Sequence, residues 1–193
     1  KVYAQCSEMK SDEVFMELAH SCVIDLQRKE PETIQKWNSM VLKTKASVHK
    51  NLNRLGIKFD FEFGESDSAP YIEIAKKMLS PSLSDGALVL SNGEGETPLI
   101  FQNKFGGYLY AATDLGTMLM RSEYNNIVYV VDNRQHYHFE QVFNHSKELV
   151  GDTKLEHVGF GTVNGPNGQA FKTRDGGVPT LSSLLDEAVD VIK

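Results

Sequence analysis

Ile127-Val128-Tyr129-Val130-Val131-Asp132-Asn133-Arg134-Gln135-His136-Tyr137-His138 is the stretch whose reading decides the fold. Five apolar, largely β-branched residues in a row suit a parallel strand buried on both faces. The abrupt change to polar side chains at Asp132 marks the strand's end. A helix is expected next, from about Tyr137 to Leu149, and then a second strand, Glu156 to Phe160. Upstream, Tyr108 to Ala112 reads as a strand and Asp114 to about Tyr124 as a helix. Strand, helix, strand, helix, strand is an α/β signature with a parallel sheet.

The flanks have a different character. Ala87 to Leu90 and Leu99 to Gln102 read as short strands with Gly-rich joins. Before them, Ser11 or Asp12 can cap a helix with Phe15, Leu18, Cys22 and Leu26 on one face, ending near Glu30-Pro31. Pro31 suits the first turn of a second helix with the apolar stripe Trp37, Val41, Val48, Leu52 and Leu55, stopped at Gly56. Lys58 to Phe63 alternates like a strand, and Pro70 to Leu79 is another helix. At the far end Asn164-Gly165-Pro166-Asn167-Gly168 is a turn. Thr180 caps a last helix with Leu181, Leu184, Leu185, Ala188 and Ile192 on its inner face.

A chain of 193 residues, 40% apolar and 24% charged, buries a core without disulfide or metal staples. It has no long apolar run and no secretory signal pattern, which predicts a soluble, cytosolic protein without a membrane partner. Cys6 and Cys22 stand in no ligand spacing, so neither a disulfide nor a zinc site is expected. A net charge of −6 argues against a surface given over to nucleic acid. Any RNA contact must be local: Lys43, Lys45, Lys50, Arg54 and Lys58 form one basic stretch, which reads as such a contact or, more plainly, as a solvated helix face.

Ligands of open α/β sheets collect beyond the carboxyl ends of the strands, where three segments fall. In Gly106-Gly107-Tyr108-Leu109-Tyr110-Ala111-Ala112-Thr113-Asp114, Tyr110 and Asp114 share a face if the helix has already begun, offering a phenol and a carboxylate to one ligand. The plainer account makes Thr113 or Asp114 a helix cap and the tyrosines core. Asp132 to His138 reads as a pocket edge or as capping residues. His136 and His138 would point to opposite faces of an extended segment, against a two-histidine metal site. Phe171-Lys172-Thr173-Arg174-Asp175-Gly176-Gly177 offers cations, a hydroxyl and open backbone amides to a polyphosphate, without Walker spacing. A basic turn with no ligand reads equally well.

Taken in order, these segments resemble the arginyl-tRNA synthetase family of class I. Gly107 to Asp114 looks like its arginine-binding segment and Asp132 to His138 like its strand-end sequence. Phe171-Lys172-Thr173-Arg174 with Gly176-Gly177 and Leu184-Leu185-Asp186-Glu187-Ala188 looks like its KMSKS loop and following helix. The resemblance implies an α/β fold, the second half of a Rossmann-like class I catalytic domain, with a helical connective region on the N-terminal side. Residues 1–105 would be the connective region and 106–193 the Rossmann-like half. It implies that Tyr110, Asp114 and Gln135 bind arginine. His138, Val158, Gly159, Phe160, Lys172, Thr173 and Arg174 would meet ATP, with Lys172 and Arg174 as the catalytic cations. Arginine, ATP with Mg2+, and tRNA(Arg) are the partners implied.

The HIGH-type motif of class I synthetases is not found, since His157-Val158-Gly159 is followed by Phe160. With Lys1 an unnatural start and Lys193 in mid-helix, an excerpt of a longer enzyme is expected, inactive alone. The alternatives are a truncated, non-catalytic module binding arginine or RNA, and another class I synthetase such as the cysteine or glutamine enzyme. The latter fits the fold but not the Tyr110, Asp114 and Gln135 set.

Overall fold

The computed structural model describes residues 2–165, 168 and 169, and 179–192. They belong to two compact units, Phe61–Thr162 and Lys1–Asp60 with Val163–Lys193.

The Phe61–Thr162 unit holds the core. Helix α4 (Ala69–Leu79) leads into an antiparallel sheet of order β1-β2-β3, formed by Ser82–Ser84, Ala87–Leu90 and Leu99–Gln102. Strand β1 was not among the expected elements. It pairs with β2 through Asp85-Gly86, both at positive φ (47° and 80°), the turn that matches the twist of a tight hairpin. Helix α5 (Tyr110–Met120), β4 (Asn126–Asp132), α6 (His136–Val150) and β5 (Lys154–Phe160) follow, β4 and β5 pairing in parallel. This is the expected strand–helix–strand unit. One continuous apolar cluster joins Phe101, Ala112, Leu115, Met118, Tyr129, Phe139 and Val142. Tyr129 packs against Phe139 and Phe143, with ring centroids 4.7 and 5.8 Å away. Burial pushes its phenol up to about 12, so it stays neutral in the core.

Three expectations are corrected here. Tyr108 to Ala112 is not a strand: Tyr108 makes a single antiparallel bridge to Gln102, and α5 starts at Tyr110 instead of after Asp114. Strand β4 is not buried on both faces, because Ile127 and Tyr129 are covered while Val128 and Val130 are exposed. Lys58 to Phe63 forms no strand among the described residues; Phe59, Phe61 and Phe63 stay exposed without a ladder to join.

The second unit is helical: α1 (Val2–Glu8), α2 (Glu13–Gln27), α3 (Pro31–Arg54) and α7 (Leu181–Ile192). Asp12 caps α2 by accepting from the Phe15 amide at 3.1 Å. Gly56 (φ 69°) ends α3, and the Ile57 amide returns to the Leu52 carbonyl at 2.9 Å, a left-handed stop that satisfies a terminal carbonyl. Thr180 Oγ1 accepts from the Ser183 amide at the start of α7. The apolar faces are narrower than periodicity suggests. Leu18, Cys22, Val48, Leu55, Leu181 and Ile192 are exposed, Cys6 being an exposed free thiol like Cys22. Polar contacts tie α3 to α7 instead: Arg54 Nη1 meets Asp186 Oδ1 at 2.6 Å, and Ser182 Oγ donates to Asn51 Oδ1 at 2.7 Å. Arg54 of the basic stretch is therefore held by a carboxylate. No described helix is long and apolar enough to cross a membrane.

Candidate active site

The candidate site begins with a tight loop. Asn103 Oδ1 accepts from the amides of Phe105 (3.0 Å) and Gly107 (2.9 Å), and Gln102 Nε2 donates to the Gly106 carbonyl at 2.7 Å. The chain is thus turned back so that the Leu109 amide bonds the Phe101 carbonyl at 3.2 Å, and α5 opens at the next residue. Leu109 is the cap residue and makes no side-chain cap bond, so Thr113 and Asp114 lie inside the helix and do not cap it. Thr113 Oγ1 donates back to the Tyr110 carbonyl. Tyr110 is 78% exposed, not core. Tyr110 and Asp114 therefore stand one helical turn apart on neighbouring positions.

A pocket of about 300 Å³ opens at this helix start, lined by Glu65, Tyr108, Leu109, Tyr110 and Thr113. Glu65 carried no recognisable signal in the sequence. It begins a 3-10 turn, Glu65–Ser68, fastened by two bonds: the Gly64 amide to Asp67 Oδ2 at 2.7 Å, and the buried Ser68 hydroxyl to the Glu65 carbonyl at 2.7 Å. Tyr108 donates its hydroxyl to Glu73, and its ring meets Phe101 edge-on at 5.9 Å. Burial, and then that bond, push its phenol up to about 12, fixing it as a neutral wall. Asp114 is not in the lining. Its Oδ2 lies 2.7 Å from His138 Nε2, the two side chains being 26% and 28% exposed.

The strand-end segment folds as a 3-10 turn, Asn133–Gln135, running into α6. Asp132 accepts from the Arg134 amide (2.8 Å), Nε (2.9 Å) and Nη2 (2.8 Å). Gln135 closes the turn, exposed. His136 and His138 diverge as expected, though on a helix start and not on an extended strand: His136 Nδ1 faces His157 Nδ1 at 3.4 Å, whereas His138 faces Asp114. On β5, Val158 and Phe160 are exposed. A Cβ on Gly159 would meet the Asn133 carboxamide, which would have to turn aside to admit it. Lys172, Thr173 and Arg174 lie outside the described residues. Among the described residues no three His, Cys, Asp or Glu side chains group as a metal site.

The Arg134 bonds hold the Asp132 carboxyl down at about 2, from 3.8. A depressed carboxyl contributes stability above its ordinary pKa and loses it as pH falls through the folded value. NMR titration is expected to find Asp132 ionised at pH 3, and Arg134→Ala, which removes the guanidinium bonds but keeps the backbone amide bond, to raise it part of the way to the ordinary carboxylate range. An unchanged titration in the variant would remove the Arg134 guanidinium as the main cause.

The chain compares with known proteins over nearly its whole length. The family model described as "tRNA synthetases class I (R), catalytic domain" matches residues 1–192. An arginine–tRNA ligase of Francisella tularensis subsp. novicida is 37% identical over an alignment covering 100% of this chain and 35% of the relative. That of Alkaliphilus oremlandii is 36% identical over 99% of this chain and 35% of its own. The chain thus spans about a third of the length of these curated relatives. The crystal structure of arginyl-tRNA synthetase from Plasmodium falciparum superposes with a TM-score of 0.73 at 26% identity, covering 92% of this chain and 31% of that one. A Campylobacter jejuni structure, 18% identical with a TM-score of 0.64 over 91% of this chain and 42% of its own, shares the fold. A family model running almost end to end, with such identity across the full chain, places the chain in the catalytic-domain family of the class I arginyl-tRNA synthetases.

Proposed function

We propose that this chain supplies the amino-acid pocket of an enzyme that activates arginine with ATP and transfers it to tRNA(Arg). The observation that carries the reading is the helix start of α5. There Tyr110, which carries a phenol, lines the same pocket as Glu65, which carries a carboxylate, with Asp114 one turn further along. A guanidinium presents only donors, in a planar fork. Two carboxylates and a phenolic oxygen are the acceptors such a fork needs, and a lysine ammonium, a point charge on a different stem, fills that geometry poorly. Gln135 is assigned to the same amino acid from the strand-end turn.

ATP, as its Mg2+ complex, is the proposed co-substrate. Val158, Gly159 and Phe160 on β5 and Lys172, Thr173 and Arg174 are its proposed contacts, with Lys172 and Arg174 as cations for the phosphates. The arginine carboxylate attacks the α-phosphorus, the bond to the leaving pyrophosphate breaks, and the adenylate is passed to the terminal ribose of tRNA. The protein's part is to hold two anions in line and to stabilise the charge of the transition state, which needs no covalent enzyme intermediate.

The test is aminoacylation by the full-length gene product with tRNA present: turnover that depends on arginine supports the reading, and arginine-independent or absent activity sinks it. Glu65→Gln keeps the side chain's size and removes its charge. It is expected to raise the KM for arginine about tenfold, the worth of a hydrogen bond between charged groups, with the KM for ATP unchanged. An equal rise for both substrates would take Glu65 out of the arginine pocket.

A further inference from the structure

We propose that His138 is a positioning residue that acts through Asp114, holding one carboxylate oxygen so that the other faces the substrate guanidinium. This rests on the reading of Asp114 as an arginine contact. The family resemblance assigns His138 to ATP, but its Nε2 lies 2.7 Å from Asp114 Oδ2, a spacing of the charge-assisted kind. Both side chains are about three-quarters covered, so water competes weakly for the bond.

The two partners are mounted rigidly. Asp114 lies within α5 between the buried Ala112 and Leu115. His138 sits in the first turn of α6, its ring edge-on to the buried Phe139 at 5.2 Å. Phe139 in turn packs on Tyr129 of β4. The sheet, α6 and α5 are thereby chained to one carboxylate oxygen.

The chemistry favours orientation over charge. A free aspartate carboxylate turns about its last torsion through a broad range. A donor on Oδ2 fixes that torsion and leaves Oδ1, with its lone pairs, as the acceptor for a planar fork. Any side chain able to bring an N–H to the same point should therefore do the same work.

The experiment compares His138→Phe, His138→Gln, Asp114→Asn and the Asp114→Asn/His138→Phe double variant in the full-length enzyme, by steady-state aminoacylation at saturating tRNA. His138→Phe keeps a ring without a donor and is expected to raise the KM for arginine about tenfold, leaving kcat and the KM for ATP within about twofold. His138→Gln, whose amide nitrogen reaches to about the position of Nε2, is expected to restore the KM to within about threefold. The double variant should be no worse for arginine than Asp114→Asn alone, since both remove one interaction. His138→Asn, too short to reach Asp114, replaces the phenylalanine variant if that change disturbs α6. A rise in the KM for ATP alone, or multiplied effects in the double variant, would overturn the proposal and return His138 to the nucleotide. If Asp114→Asn raises the KM for arginine and neither His138→Phe nor His138→Asn does, the positioning role alone fails. If Asp114→Asn leaves arginine unaffected, the reading of the pocket fails, and this proposal with it.

Discussion

Asp114→Asn in the full-length enzyme is expected to raise the KM for arginine about a hundredfold and to leave the KM for ATP within about threefold. The substitution keeps the side chain's shape but replaces one acceptor oxygen by an amide group that donates. A guanidinium has no lone pair to receive that donor. Truncating one partner of a buried, hydrogen-bonded charge pair costs about 2–5 kcal/mol. Asp114, at 26% side-chain exposure, belongs near the lower end of that range, and each 1.4 kcal/mol is a factor of ten. With an N–H on His138 Nε2, the tautomer that an acceptor-only carboxylate 2.7 Å away requires, the asparagine can also turn its oxygen toward the histidine and its NH2 toward the substrate, which reverses the polarity the arginine meets. Asp152→Asn, in the exposed turn after α6, is the matched control. Asp186 is less suitable because its carboxylate holds Arg54. A hundredfold change common to arginine and ATP would indicate a collapsed site and not a lost specificity contact.

Gly116→Ala is expected to lower the Tm by about 4–8 °C, the equivalent of a net loss of about 2 kcal/mol in a chain of this size. At an open position in a helix the same change stabilises by about 1 kcal/mol. Here α4 and α5 approach so closely that a Cβ on Gly116 would stand 2.8 Å from Ile72 Cγ1, 3.2 Å from the Ile72 nitrogen and 3.3 Å from the Ser68 carbonyl. Two of those three atoms are backbone and cannot turn aside, so the helices must separate. Ser68 ends the turn that begins with Glu65, and its hydroxyl is bonded to the Glu65 carbonyl. Separation of α4 from α5 thus moves Glu65 away from Tyr110. Differential scanning calorimetry of the variant reads the first effect and the KM for arginine the second. A raised Tm would mean that the close approach is not there.

Much of the α/β half is legible in the sequence, because strand and helix leave different hydrophobic periods and the segments of this half are long. Strands β2 and β3 fall on the residues expected, and β4, α6 and β5 differ only by a residue or two at their ends. The start of α5 is not legible. Tyr108-Leu109-Tyr110 has the composition of a strand, and what makes Tyr110 helical is the Asn103 loop and the bond from Leu109 to Phe101, both outside the local pattern. Strand β1 was legible in principle, since Asp85-Gly86 is a strong hairpin signal. The exposed faces of α2, α3 and α7 show the opposite failure, where periodicity predicted more burial than the helices receive.

For the site, the resemblance pointed to Tyr110 and Asp114, and the helix places them one turn apart. Glu65 was out of reach: a glutamate in a Ser- and Asp-rich turn has no local feature that separates it from a solvated charge, and only tertiary packing brings it to the start of α5. The partner of His138 was hidden for the same reason. Spacing tells that His136 and His138 diverge, but only the packing of α6 on α5 shows that one of them meets a carboxylate.

The most direct test of the proposed pocket is a crystal structure of the full-length protein with L-arginine bound. The guanidinium is predicted to lie within about 3 Å of carboxylate oxygens of Glu65 and Asp114, beside the Tyr110 phenol, with His138 still on the second oxygen of Asp114. Arginine bound elsewhere, or with its guanidinium turned away from both carboxylates, would contradict the account.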